Sequence, residues 1–291
     1  MLLMGLILFK FENKKVIFPF AFLLVVLLAI GWVQFVIKID PLSWALAFMW
    51  ESTTRLWLVF YWLFFGGILF LMLILIPTDK KVIVRKYFHL IISLMFTLPI
   101  FFAEENLTII AFAVTFCILL ALELGRISQI PYVSLHLDSF INSYKDQKDT
   151  GIIVTSHFYL LFGFSLPLIF YKSLKYDHLS TSLLPFSGLL SIGVADSFSS
   201  IFGSYLGKHK WSKTNPKSIE GTFYGFIFLY MANCFIILAF SCLDTWFSFS
   251  KFILLIFSSI MVCLMEAFTD QIDNLFLPFY YFSLLNISLA F

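Results

Sequence analysis

The sequence predicts an all-α protein, a polytopic bundle of about nine transmembrane helices. Of its 291 residues, 61% are apolar and 12% charged, against roughly half and a quarter in soluble domains. Mean hydropathy is +0.96. A water-soluble fold of this length cannot cover so many apolar side chains, so composition excludes an ordinary soluble enzyme, a disordered chain and a small disulfide scaffold. The apolar residues also come in runs near the ~20 residues that cross a hydrocarbon core about 30 Å thick. They lack the alternation of a barrel strand, so helices must satisfy the backbone inside lipid. Finally, Lys and Arg are shared unequally between alternate loops, as in membrane helices inserted by the positive-inside rule.

Taken in order, residues 1–15 read as a short interfacial or flexible start. They do not form a signal peptide, because no small-residue cleavage site follows the first apolar run. Clear spans follow at 16–37 and 56–76. The runs 88–102 and 107–122, separated by Ala103, Glu104, Glu105 and Asn106, read as two short spans or as a hairpin that does not fully cross. Further spans are expected at 152–171, 181–206, 221–243, 252–268 and 275–291. With this register, the loops 1–15, 77–87, 123–151, 207–220 and 269–274 carry 14 of the 19 basic residues. Those loops belong in the cytoplasm, and the sequon Asn106-Leu107-Thr108 falls on the far side. Cys117, Cys234, Cys242 and Cys263 lie singly in apolar runs and read as packed thiols, not as a zinc site or disulfides. The net charge of +2 gives no bulk attraction to nucleic acid. No repeat and no soluble domain is evident. Two spans in 1–84 precede the remainder, 85–291.

Three segments carry the chemistry. In Gly193-Val194-Ala195-Asp196-Ser197, continuing through Ser200, Gly203, Ser204 and Gly207, small and polar residues share one helical face. An aspartate in a membrane segment is costly. Asp196 therefore reads either as a structural ion-pair member in a packing seam or as a carboxylate for Mg²⁺ near phosphate. Next, Lys208, Lys210, Lys213 and Lys217 lie within ten residues, interleaved with His209, Trp211 and Ser218. Such a loop is either an ordinary basic loop or a wrap for polyphosphate, closed by Glu220, Gly221 and Thr222 where the next helix opens and its amides favour an anion. It is not a Walker A loop, since Gly203 and Gly207 are too close and no Ser or Thr follows Lys208. The third segment places Glu266, Asp270 and Asp273 at i, i+4 and i+7, three carboxylates on one face if the helix continues. They suit a hard cation that bridges phosphates. Arg85, Lys86 and His89 precede a span as a charge anchor or a phosphate clamp. Asp149 and His157 bracket another span, where His157 is either a satisfied interior histidine or a base. Lysines, carboxylates and glycines from separate segments thus meet at one membrane face, as a site for a cytosolic nucleotide with a divalent ion requires.

These strings also resemble a family. Gly193 to Gly207, then Trp211 and Lys217-Ser218-Ile219-Glu220-Gly221-Thr222, resemble the nucleotide-binding region of dolichol kinases. Arg85-Lys86-x-Phe88-His89, Asp149-Thr150-Gly151 with His157 to Gly163, and Glu266 to Pro278 are similar to further family blocks in the same order. Ala195 stands where the pattern leads one to expect glycine. The resemblance implies a CTP-dependent kinase, multi-pass in the endoplasmic reticulum membrane with its active site facing the cytoplasm. It would phosphorylate the terminal hydroxyl of dolichol, and the dolichyl phosphate formed serves protein glycosylation. It implies Mg²⁺ held by Asp196 with Asp270 or Asp273. It also implies charge offset by Lys213 and Lys217, and Asp196, Asp149 or His157 as base. A phytol or farnesol kinase, a CTP:phosphatidate cytidylyltransferase and a transporter remain as alternatives.

Overall fold

The computed structural model describes residues 31, 35, 38, 40–75, 81–127, 153–174, 183–241, 249–269 and 273–290. Among them regular structure is helical, apart from one isolated antiparallel bridge between Lys210 and Ser218. The helices are α1 (Pro41–Trp50), α2 (Thr53–Leu75), α3 (Lys81–Phe101), α4 (Glu105–Ile127), α5 (Ser156–Ser173), α6 (Ser197–Leu206), α7 (Ile219–Ser241), α8 (Phe249–Phe268) and α9 (Asp273–Ala290). A 3₁₀ turn, Leu184–Phe186, and a π-helical segment, Leu189–Asp196, lead into α6.

Among the described residues six stretches are long and apolar enough to cross a membrane: Thr53–Met72, Ile83–Phe101, Glu105–Ile127, Leu189–Leu206, Ile219–Ala239 and Phe249–Phe268. The structure thus supports six of the expected nine spans. Helices α5 and α9, 18 residues each, occupy the expected positions of two others. Almost all of 16–37 lies outside the described residues. The short pair at 88–102 and 107–122 is corrected to two helices of 21 and 23 residues, each long enough to cross. The apolar run underestimates α3 because Arg85, Lys86 and His89 interrupt it. Lys86 and His89 nonetheless lie inside the protein, 6% and 2% exposed.

The chain forms two compact units. One comprises Met1–Val59 and Cys117–Val154. Within it, Asp40 caps α1 by accepting the Ser43 amide at 2.8 Å, and Pro41 occupies the first turn, where a missing N–H costs nothing. Arg55 lies over the Phe48 ring at 3.8 Å and pairs with Glu51 at 2.9 Å. The buried Glu123 near the end of α4 holds Arg126 at 2.6 Å and accepts the Val154 amide at 2.8 Å.

The other unit comprises Phe60–Phe116 and Thr155–Phe291. Its centre is the segment Leu189–Asp196, against which α3, α5, α7, α8 and α9 all pack. Small residues permit this. A β-carbon at Gly193 would overlap the Ser93 side chain of α3. One at Gly221 of α7 would stand 2.5 Å from the Ser199 carbonyl oxygen and 2.9 Å from the Gly203 Cα of α6. Ile192, Ala195, Leu229, Val262 and Tyr281 fill the core with no exposure. Outward faces carry Phe235 and Leu238, 70% and 64% exposed, as side chains do whose solvent is lipid. Helix α2 docks through polar handles. Pro99 of α3 has no N–H to give the Met95 carbonyl four residues back, and Trp62 Nε1 donates to it instead at 2.9 Å. Tyr61 Oη donates to the neighbouring Leu94 carbonyl at 2.6 Å.

Candidate active site

Three elements of this unit bring charge into the protein interior. Asp196 ends the π-helical segment, where the wider turn lets the Ser197 hydroxyl donate to the Ile192 carbonyl at 3.0 Å. Such turns recur at functional sites. The Asp196 side chain is 2% exposed and pairs with Lys86 Nζ, 7% exposed, at 2.5 Å. His89 lies one turn further along α3, with Nδ1 3.9 Å from the same carboxylate oxygen. That nitrogen has no hydrogen-bond partner. The pairing explains why α3 can carry a lysine in lipid: each charge is the other's counter-ion, and neither faces the acyl chains.

A second pair lies within electrostatic range of the first. Lys217 Nζ is 2.7 Å from Glu266 Oε1 and also donates to the Glu266 main-chain carbonyl. The carboxylate is 4% exposed and the ammonium side chain 28%. Around Lys217 the loop between α6 and α7 is held at both ends. At one end, Asn215 Nδ2 donates to the Ala267 carbonyl at 2.7 Å, and the Trp211 ring lies 4.9 Å from Phe268. The last carbonyls of α8, which have no partner in their own helix, thus receive donors from the loop. At the other end, Ser218 caps α7 by accepting the Gly221 amide at 3.1 Å, and Trp211 Nε1 donates to Thr222 Oγ1 at 2.9 Å. Glu220 accepts the His209 amide at 3.1 Å and meets His209 Nδ1 at 2.6 Å.

Two expectations change here. The opening amides of α7 are not open to an anion as the sequence suggests, because the Ile219 amide goes to the His209 carbonyl and that of Gly221 to Ser218 Oγ. The i, i+4, i+7 spacing assumes one continuous helix for Glu266 and Asp273, and this is the second change. Helix α8 stops at Phe268 and α9 begins at Asp273, so Glu266 and Asp273 belong to different helices. Helix α8 ends where the apolar span gives way to the polar sequence that begins at Thr269.

The other candidates are placed as follows. Gly203, Gly207 and Gly221 gather around Ser218, where a β-carbon on Gly207 would lie 2.6 Å from its hydroxyl oxygen. Lys208 and Lys213 are exposed, and Arg85 is half-buried beside Lys86. His157 sits in the first turn of α5, next to Phe158. Asp149 and Asp270 lie outside the described residues, as does the side chain of Asp273. Among the described residues no three His, Cys, Asp or Glu converge as a metal cage. Of the carboxylates expected to hold magnesium, only the Asp196 side chain is described, and Lys86 pairs with it at 2.5 Å. Sequence reasoning singled out Asp196 and Lys217 and grouped Glu266 with the cation carboxylates, not with Lys217, and it gave no sign that Lys86 and Asp196, 110 residues apart, would pair.

Comparison with known proteins adds the decisive observation. The chain is 34% identical over 269 residues to the dolichol kinase of Homo sapiens, covering 87% of this chain and 49% of that protein. It is 32% identical over 285 residues to a dolichol kinase of Arabidopsis thaliana, covering 94% and 48%. Against that of Saccharomyces cerevisiae it is 32% identical over 206 residues, covering 69% and 36%. The chain belongs to the dolichol kinase family. It spans about half the length of the curated relatives it matches. No family model and no solved structure matches it. Within the dolichol kinase family, the buried charge pairs are therefore the first three-dimensional feature of this chain to interpret as a site.

Proposed function

We propose that this chain is the catalytic membrane part of a dolichol kinase and transfers the γ-phosphoryl group of CTP to the terminal hydroxyl of dolichol. The observation that carries the reading is the buried Lys86–Asp196 pair beside Lys217–Glu266, in a chain whose relatives are named for that kinase. Phosphoryl transfer asks little covalent chemistry of a protein. It asks for positioning and for positive charge where negative charge develops. Lys217 presents an ammonium at the edge of the site, and Lys208 and Lys213 extend that charge into solvent. Arg85, Lys86 and His89 line the inner side through α3. Trp211, Ser218, Glu220, Gly221 and Thr222 give the loop one shape, with Gly203 and Gly207 packed beneath it, so that the nucleotide meets a preformed surface. Asp196, with Asp270 or Asp273, would hold magnesium, which would supply positive charge against the phosphates. Asp196, Asp149 or His157 accepts the hydroxyl proton. The isoprenoid tail lies in the bilayer against the Phe-rich outer faces. We place the site on the cytoplasmic side of the endoplasmic reticulum membrane, where the basic loops belong. Residues 85–291 form the catalytic part, and the product supplies glycosylation.

The test is a transfer assay in membranes bearing this chain, with Mg²⁺, dolichol and CTP labelled at either the γ- or the α-phosphate. Label reaching the lipid from the γ position alone is the expected result. Label from the α position means cytidylyl transfer instead, and phytol outcompeting dolichol reassigns the acceptor. No transfer by well-inserted protein overturns the reading for this chain.

A further inference from the structure

The reading above gives Glu266 no task beyond its pairing with Lys217, yet it is a carboxylate within an apolar helix, 3% exposed as a residue. A charge there is expensive, and a small polar or apolar residue would close α8 more cheaply. Its surroundings show what it does. Lys217 is a point charge on a flexible four-carbon stem, which rotates freely unless something holds its end. In the structure two oxygens of one residue hold that ammonium: Oε1 at 2.7 Å and the Glu266 main-chain carbonyl. Asn215 fixes the other end of the stem. Its Oδ1 accepts the Lys217 amide at 2.9 Å, while its Nδ2 donates to the Ala267 carbonyl at 2.7 Å. The end of α8 adds the partial negative charge of a helix C-terminus. The geometry is ordered from inside to outside, with the buried carboxylate behind and the partly exposed ammonium in front. With Lys86 and Asp196 the cluster sets two basic side chains against two acidic ones.

We infer that Glu266 is a positioning residue for phosphoryl transfer: it acts through Lys217, fixing the ammonium where the phosphates of the nucleotide meet it. This rests on the kinase reading, and the tests separate the two. The first needs no activity. Lysine acylation followed by mass spectrometry on the full chain in membranes should show Lys217 modified several-fold faster in Glu266→Ala than in the parent, with Lys213 unchanged. Equal Lys217 rates overturn the inference whether or not the chain is a kinase. The second uses the γ-label assay. Glu266→Ala should lower kcat roughly 10- to 100-fold, as a misplaced group does, while leaving the KM for CTP unchanged. Glu266→Gln, which keeps an acceptor oxygen at the same reach, should recover most of the loss. In a Lys217→Ala background, Glu266→Ala should cost no more than about twofold, because coupled residues are not additive. A full further loss in that background means that Glu266 acts independently of Lys217, and unchanged kcat in the single variant means that it does nothing; either overturns the proposal. Should Glu266→Ala fail to insert, Glu266→Leu, which removes the acceptor but keeps apolar bulk, is carried through the same comparisons with the same expected outcomes. Parental Lys217 acylation and parental kcat in that variant overturn the proposal.

Discussion

At the scale of single residues, the Lys86–Asp196 pair joins fold to function. A buried ion pair contributes little net stability, but removing one partner strands the other charge at a cost of about 3–5 kcal/mol. Lys86→Met leaves the buried Asp196 carboxylate without its ammonium partner, with His89 Nδ1 3.9 Å away. We expect that variant to unfold at clearly lower temperature in detergent. The double variant Lys86→Met/Asp196→Leu should recover most of the stability, because neither charge is then stranded. Transfer activity should be lost in both. A double variant that regained both stability and activity would make the pair purely structural. Lys217 stands in a different setting, half-exposed and tied to the end of a helix. Lys217→Ala should therefore cost activity far more than stability, read by the same two assays.

At the scale of elements, the contact between α6 and α7 is set by what is missing from side chains. Gly221→Ala places a methyl group against two backbone atoms, the Ser199 carbonyl oxygen at 2.5 Å and the Gly203 Cα at 2.9 Å. Neither can rotate away, so the helices must part, and overpacking of this kind costs typically 1–3 kcal/mol. Gly66→Ala in α2 meets nothing within 4 Å. It should be neutral or stabilise by up to about 1 kcal/mol through helix propensity. Thermal unfolding of the two variants side by side tests the packing directly, and a Gly221→Ala protein as stable as Gly66→Ala would refute it. The same contact shows what was legible beforehand. Small residues from Gly193 to Gly207 announced a face that another helix approaches closely, and Asp196 announced itself by being charged in an apolar run. The partner of Asp196 was not legible. Lys86 and His89 shorten the apolar run of α3, so hydropathy places them outside the membrane, whereas a counter-ion from a distant segment draws them in. The break between α8 and α9 was also hidden, since i, i+4, i+7 spacing assumes a continuous helix. Whether the helix continues past Phe268 depends on where the apolar span ends, which the spacing of carboxylates does not encode.

At the scale of the whole molecule, what remains is which way the bundle faces. The basic loops and the far-side loops divide 14 to 5 in Lys and Arg, counted over all 291 residues. Under the proposed function, the rule that basic loops stay cytoplasmic gives the side from which a nucleotide would reach Lys217. Physical sense demands the same, because a water-soluble triphosphate does not cross the bilayer, whereas the lipid alcohol enters from within it. The loop between α6 and α7 offers a probe that leaves the site intact. Ser212 is exposed, and its hydroxyl takes part only in contacts with Thr214 and the Asn215 amide inside the loop tip. Ser212→Cys should react with a membrane-impermeant thiol reagent from the cytoplasmic face of sealed microsomes, with Cys117, Cys234, Cys242 and Cys263 replaced by alanine to silence the background. A second cysteine at Ser173, at the end of α5 and outside its buried face, should react only after the vesicles are opened. Protection of Ser212→Cys by CTP would further tie the loop to the nucleotide. If Ser173→Cys labels in sealed vesicles and Ser212→Cys does not, the bundle is inverted, and the charge asymmetry that oriented it reflects the nucleotide site alone.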